Sequence, residues 1–269
     1  MMDVIMNGDL ETSPQYSKPL LTQGNFYHNI LVQLGFDADF PPVADLIRQV
    51  MQLEGDWVIA TPVHWQASHN NAVIAGSGKN LCLTERESYR SFEKWRKFVA
   101  EEGMEAQFYD EEVWLLKPND KPKLYAKPVH SMLQRSLLPE LQQLDETLYW
   151  QKLITECQML FASRGVESSQ LINGVWFWGQ GSLLAKGDIP LLANQKKLLE
   201  LGAVLSSRVS PFSAENVASD EALILWENTA ENDRVTLQRQ LQNKSVSWYG
   251  NDIAYQSQKK NWWSRIWRF

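Results

Sequence analysis

Gly179-Gln180-Gly181 combines residue types suited to holding a ligand. Glycines lack a Cβ, so the backbone can take positive φ and approach a bound group closely, and the Gln180 amide can both donate and accept hydrogen bonds. The tripeptide follows Leu171 to Trp178, an apolar run with alternating aromatics, and reads as a tight loop delivered by a buried strand. Trp176 and Trp178 would share one face of that strand, a pattern that equally serves core packing. His64 and His69 could ligate a metal, yet no carboxylate, cysteine or further histidine stands at ligand spacing, so a hydrogen-bonded structural pair is expected and no metal or cofactor. Cys157 falls on an apolar helical stripe with no base beside it, which favours a small buried hydrophobe over a nucleophile.

The elements that must position these residues alternate along the chain. An irregular arm is expected over residues 7–25, rich in Asn, Ser, Thr, Pro and Gln. A helix follows the double proline, from Pro42 to about Gln52, with Val43, Leu46, Ile47 and Val50 at helical spacing. Trp57 to Trp65 and Ala72 to Ala75 read as two strands; Pro62 cannot donate to a ladder, which predicts an edge, a bulge or a strand end there. Thr84-Glu85-Arg86-Glu87 is a capping box that launches a helix ending near Gly103, with Tyr89, Phe92, Trp95, Phe98 and Val99 as its core stripe. Ala106–Tyr109 and Val113–Leu116 suit a hairpin with a solvated acidic tip, and the charged, proline-bearing stretch from Lys117 to Lys127 reads as a loop. His130 opens a helix, and Asp145 is the expected cap of a longer one. Beyond the glycine loop, Gln195–Leu201 reads as helix, Ala203–Val209 as strand, Ala222–Trp226 as a strong strand and Asp233–Gln242 as helix. Ser245–Tyr249 and Ile253–Gln256 make a last pair of strands around Gly250. Alternation of this kind predicts an α/β or α+β fold, mixed sheets covered by helices.

The chain has 269 residues, 44% of them hydrophobic, enough for one large or two small domains with a sizeable core. A formal charge of −6 argues against a general nucleic-acid binder, which needs a basic face to displace counterions. Two distant cysteines, Cys82 and Cys157, imply neither a disulfide framework nor a zinc ribbon, and a reducing cytoplasm fits. The opening Met1 to Asp9 is too short and acidic for a signal peptide, and no apolar run reaches the ~18 residues of a membrane span.

Several segments together carry a resemblance. Asn173 to Gly181 resembles the AN-x-x-W-x-WGQG segment of the archaeal-type cofactor-independent phosphoglycerate mutases of the alkaline phosphatase superfamily. Thr61 to Ser68 is similar to the strand opening their substrate-binding insert, and the Thr84 helix and the strands at Gln107 and Val113 follow in the same order. A bacterial family of RpfE-type regulatory, phosphoglycerate-mutase-like proteins, with its DPVHLRAD and NSLWFWGGG segments and basic aromatic tail, is more similar still. The resemblance covers about residues 57–185. It implies a ligand-binding set of Asn173, Trp176, Trp178, Gly179, Gln180, Gly181, His64 and Gln66 for a small phosphorylated metabolite. Gln66 stands where the relatives carry Arg, and Ser68 where they carry Asp, which removes a bidentate charged fork. The mutases hold two metals through Asp and His, with a serine nucleophile near the N-terminus. His28, His64, His69 and His130 are all the histidines here, and none stands in a DxDH or DGxxD context, so no catalytic residues are expected.

The domain reading places an arm and helix at 1–56, an insert-like α/β domain at 57–185, a C-terminal α/β region at 186–258 and a tail at 259–269. In the tail Trp262, Trp263, Ile266 and Trp267 fall at i, i+1, i+4 and i+5 with Lys259, Lys260, Arg265 and Arg268 around them, a pattern for packing on its own domain, a membrane surface or a partner's groove. The functional expectation is a non-catalytic, mutase-like pseudoenzyme that senses a ligand or binds a partner. A divergent mutase or phosphatase is the alternative, and a purely structural partner protein the third reading.

Overall fold

The computed structural model describes residues 2–68, 71–162, 171–183, 185–213, 221–228 and 233–257. It divides into two units, Met1–Gly35 with Leu184–Phe269, and Phe36–Leu183. The opening segment holds β1 (Met2–Met6), β2 (Lys18–Leu20) and α1 (Phe26–Gln33). The second unit holds α2 (Val43–Val50), β3 (Val58–Ser68), β4 (Asn71–Ser77), α3 (Glu85–Glu101), β5 (Glu105–Phe108) and β6 (Trp114–Lys117). It continues with α4 (Val129–Met132), α5 (Leu138–Leu141), α6 (Tyr149–Ala162) and β7 (Gly174–Trp178). The closing segment holds β8 (Leu191–Ala193), α7 (Lys196–Leu205), β9 (Val209–Pro211), β10 (Ala222–Trp226), α8 (Asp233–Gln240), β11 (Val246–Tyr249) and β12 (Ala254–Ser257).

In the first unit a seven-stranded sheet runs β2-β12-β11-β1-β10-β8-β9, parallel from β11 to β9 and antiparallel at β12 and β2. A boundary is expected at residue 56; the structure instead joins the first 35 residues to the C-terminal part. The reason is β1, an unexpected strand that pairs with β10 and β11. Met2, Val4 and Met6 pack with Ile224, Trp226, Leu237, Trp248 and Tyr255 on one face, and parallel strands buried on both faces read as short apolar runs rather than alternating ones. Lys18–Leu20 adds a short strand to the expected arm, with Pro19 on the sheet's edge, where a missing donor is harmless. The strand expected over Ala203–Val209 is the end of α7 instead: Leu198, Leu201, Gly202 and Leu205 are buried at helical spacing, and β9 starts at Val209.

In the second unit β3 is the hub of an antiparallel sheet, pairing β4, β6 and β7, with β5 beyond β6. Thr84 and Glu87 form the expected capping box on α3. Phe92, Trp95 and Val99 of that helix are buried, whereas Tyr89 is 48% exposed and leaves the core stripe. The Trp95 ring packs tilted against Trp114 at 5.3 Å and Phe177 at 6.3 Å, and Phe177 lies 5.3 Å from Trp150, which ties α3 and α6 to the sheet. Asp145 caps α6, accepting from the Tyr149 and Trp150 amides at 3.2 and 2.9 Å. The acidic tip of the β5–β6 hairpin is not simply solvated: Asp110 accepts from the Glu112 and Val113 amides at 2.9 and 2.7 Å and holds the turn.

Pro62 lies inside β3, opposite Val175 of β7, not at an end. Val63 accepts from the Asn173 amide at 3.1 Å, so residues 59, 61 and 63 aim their backbone groups at β7 and Pro62 faces the other flank. On that flank β6 pairs only as far as Ala60 and β4 begins at Val63. The missing N–H therefore points into a gap between two neighbours, which satisfies the constraint without an edge.

Candidate functional site

The apolar, β-branched and aromatic run Gly174–Trp178 folds as β7, with all five residues buried. Gly179 follows at φ +76, a left-handed conformation that favours glycine, and its carbonyl accepts from the Ala44 amide at 3.1 Å. A Cβ there would meet Ile59 at 3.0 Å, and one at Gly181 would meet Pro42 at 3.1 Å. The loop is thus pressed against the start of α2. Asp45 reinforces the contact by accepting from the Leu183 amide at 2.8 Å. Between the glycines, the Gln180 Oε1 accepts from the Leu124 amide at 2.6 Å. The two indoles are equally engaged: Trp176 Nε1 donates to the Lys127 carbonyl and Trp178 Nε1 to Thr61 Oγ1, both at 2.9 Å.

The remaining residues of the expected set sit at the other end of β3. Asn173 accepts from the Trp65 amide at 2.6 Å and donates to the Trp65 carbonyl at 2.8 Å. This bidentate grip extends the β3–β7 contact past Val63, the last paired residue, at the point where the β3–β4 register shifts, between His64 and Trp65. His64 Nδ1 lies 3.1 Å from the Leu171 carbonyl. Gln66 is exposed, and His69 lies outside the described residues. Ile59 pairs with Trp178 at the glycine end, and seven residues of strand at about 3.3 Å each place Gln66 about 23 Å away. The expected residues therefore form two clusters. Of the other histidines, His130 on α4 makes an edge contact with Trp178 at 5.6 Å, and His28 is buried in α1. Among the described residues no group of three or more His, Cys, Asp or Glu could hold a metal ion. Cys157 is buried and its thiol is pushed up to about 12 by that burial, so it is an unreactive part of the core.

The glycine end also holds a segment with no site residue expected in it. The stretch read as a loop from Lys117 to Lys127 is extended at its close, with Leu124 and Ala126 buried while Lys123 and Tyr125 face solvent. Its backbone is held by Gln180 at Leu124, by the Leu144 carbonyl at the Tyr125 amide, 2.8 Å, and by the Trp150 and Trp176 indoles at the carbonyls of Pro122 and Lys127. Lys117 and Lys127 pair with Glu105 and Glu140, at 3.1 and 3.3 Å. Lys121 and Lys123 instead stand over the rings of Tyr149 and Tyr125, at 5.3 and 5.2 Å. Lysine clustering in an otherwise acidic chain was the available signal.

In the first unit, polar residues gather where the parallel strands end at their carboxyl edge, the usual location of ligands in open parallel sheets. Here they hold one another. The Asn194 side-chain amide donates to the Glu227 carbonyl at 2.7 Å and accepts from the Glu227 N–H at 3.0 Å, and Lys197 pairs with the Glu227 carboxylate at 2.8 Å. Asp252 accepts from the Leu10 and Glu11 amides, both at 2.7 Å. Burial alone would raise the Asp252 carboxyl, but those amides and that of Ile253 outweigh it and hold it below its usual value.

These observations define a mixed α/β protein of two units, with a glycine loop built into the second. No family model matches the chain, and no curated protein matches it. Among solved structures it is similar to a cofactor-independent phosphoglycerate mutase from Thermoplasma acidophilum DSM 1728, at 11% identity and a TM-score of 0.33, over 96% of this chain and 89% of that one. A likeness so distant assigns no residue a role. Among the described residues no helix is long and apolar enough to cross a membrane, and the tail at 259–269 lies outside them.

Proposed function

We propose that the protein is a non-catalytic, phosphoglycerate-mutase-like module that binds a small phosphorylated metabolite. The observation that carries this reading is the 2.6 Å bond from the Leu124 amide to Gln180 Oε1. It makes the glycine loop a support for a lysine-bearing segment rather than a reactive surface. With its amide oxygen, a glycine carbonyl and both indoles engaged inside the fold, the loop retains little to act on a substrate. Lys121 and Lys123, which stand over aromatic rings and make no ion pair among the described residues, supply cations that an anion can recruit.

Thermal unfolding with 3-phosphoglycerate tests this. A ligand at a hundredfold over its Kd adds about 2.7 kcal/mol of stability. The Lys121→Glu/Lys123→Glu double variant should lose the shift, while Lys196→Glu, a lysine 91% exposed on its side chain, should keep it. A shift that survives the double variant sinks the assignment to this segment. Mutase or phosphomonoesterase turnover with magnesium, manganese or zinc, abolished by a chelator and retained through repurification, would overturn the non-catalytic reading in favour of a divergent enzyme of the alkaline phosphatase superfamily.

A further inference from the structure

A cleft of about 390 Å³ opens within the first unit, inside the range of small-molecule sites. Its walls include Leu34, Ile189, Pro190 and Leu223, and its polar groups are Asp3, Gln33, Asp188, Arg208 and Glu221. It lies at the amino edge of the parallel strands: Asp3 is the second residue of β1, in register with Leu223 near the start of β10 and with Ser247 of β11. The cleft is lined by the carboxylates of Asp3, Asp188 and Glu221 and by Arg208, which lies against Asp188, 3.9 Å from its carboxylate and 3.4 Å from its carbonyl. Asp3 is the distinctive member, an acid in an otherwise apolar strand. Burial pushes its carboxyl above its usual value, against a hydrogen bond with Ser247 that lowers it, so an approaching cation would relieve a cost already present in the fold. Gln33 and Leu34 bring the C-terminal end of α1, the negative end of its dipole, to the same cleft.

We propose that this cleft binds a small organic cation, an aliphatic amine or guanidine, with its charged end at Asp3 and its carbon body along Leu34, Ile189, Pro190 and Leu223. A bare metal ion is the poorer fit, because the carboxylates do not converge on one point: among the described residues no group of three could hold one. The apolar walls need an aliphatic body to cover them. The site uses none of the residues invoked for the phosphorylated ligand.

Calorimetric titration of the full chain with agmatine and with 1,4-diaminobutane tests the proposal. One site is expected, with affinity reduced at least tenfold in Asp3→Asn, a change that keeps the side-chain shape. Ile189→Trp, at a rim position 43% exposed, should obstruct the cleft and reduce binding comparably without entering the core, so the test stands even where Asp3→Asn folds poorly. Absence of binding by both amines, or unchanged affinity in a folded Asp3→Asn, overturns it. So does binding of 3-phosphoglycerate that is lost in Arg208→Ala, which would make this an anion site.

Discussion

Two turns in this molecule are built alike and differ in charge. After β7, Gly179-Gln180-Gly181 uses a neutral amide oxygen to hold the Leu124 N–H. After β11, Gly250-Asn251-Asp252 uses a carboxylate to hold the N–H groups of Leu10 and Glu11. Each follows a fully buried strand, and each fixes a segment distant in sequence. The first looks like a ligand loop in the sequence and the second like a mere connection, yet both are clamps. A polar residue beside a glycine at a strand end is thus a ligand contact only when its hydrogen-bonding capacity is left over by the fold.

The glycines separate the two turns most strongly. Gly179 is required for conformation, since φ is +76 and a Cβ would sit 3.0 Å from Ile59. Gly179→Val should cost about 3 kcal/mol in denaturant unfolding, from left-handed strain plus crowding. Gly250 lies outside the left-handed region but has no room: a Cβ would meet Leu10 Cγ at 2.8 Å and the Leu10 amide nitrogen at 3.0 Å. Gly250→Ala should cost about 2 kcal/mol by overpacking alone. A Gly179→Val variant as stable as the parent would show that the loop is not clamped.

Charge separates them next. Asp252→Asn turns one acceptor into a donor that faces an amide N–H, so the loss should be about 1.5 kcal/mol at neutral pH, allowing for solvent around an exposed carboxylate. The pH dependence has a definite sign. The folded carboxyl lies below its ordinary value of 3.8, so its stabilisation is complete above that value and is lost as pH falls through the lower folded one. The parent should lose stability on acidification below about pH 4, and Asp252→Asn should lose less. Equal acid limbs in urea melts would remove Asp252 from the account. Asp145, held low in the same way at the start of α6, retains part of the limb in both proteins.

How much of this was legible follows from where each signal resides. Local patterns were: the Thr84 capping box, the Asp145 cap, the β5–β6 hairpin and β7 itself follow from short-range spacing. Long-range partners were not. Met2–Met6 is too short, and broken by Asp3, to announce a strand between β10 and β11, residues more than 200 positions away. Pro62 satisfied its constraint through a switch of neighbours visible only in the assembled sheet. The resemblance named Asn173 and Gln180, and both prove to be engaged, but their partners, Trp65 and Leu124, lie 108 and 56 residues away. Hydrogen-bonding residues declare their type in a sequence and not their vacancy.

The neutral clamp should be the gentler to remove. Gln180→Ala leaves the Leu124 amide without its acceptor in a half-buried position, a loss of about 1 kcal/mol with no new pH dependence. Denaturant midpoints at pH 7 and pH 5 should fall by the same amount. A fall confined to one pH would mean that a titrating group, and not the amide, holds the segment.

The smallest effect is the sharpest discriminator, because Gln180→Glu converts the neutral clamp into the charged kind while keeping its length. A glutamate oxygen can accept from the Leu124 amide as Gln180 Oε1 does, so stability at pH 7 should differ from the parent by under about 0.5 kcal/mol. Acid should then expose the substitution. Accepting a backbone hydrogen bond lowers the folded pKa of the new carboxyl below its unfolded value of about 4.3, so its contribution is intact above that pH and disappears as pH falls through the folded value. The variant should match the parent in urea at pH 7 and gain an additional acid limb below about pH 4, the behaviour Asp252 gives its own turn. If Gln180→Glu is instead destabilised at pH 7 and recovers on acidification, the site disfavours a carboxylate, and the likeness between the two turns fails.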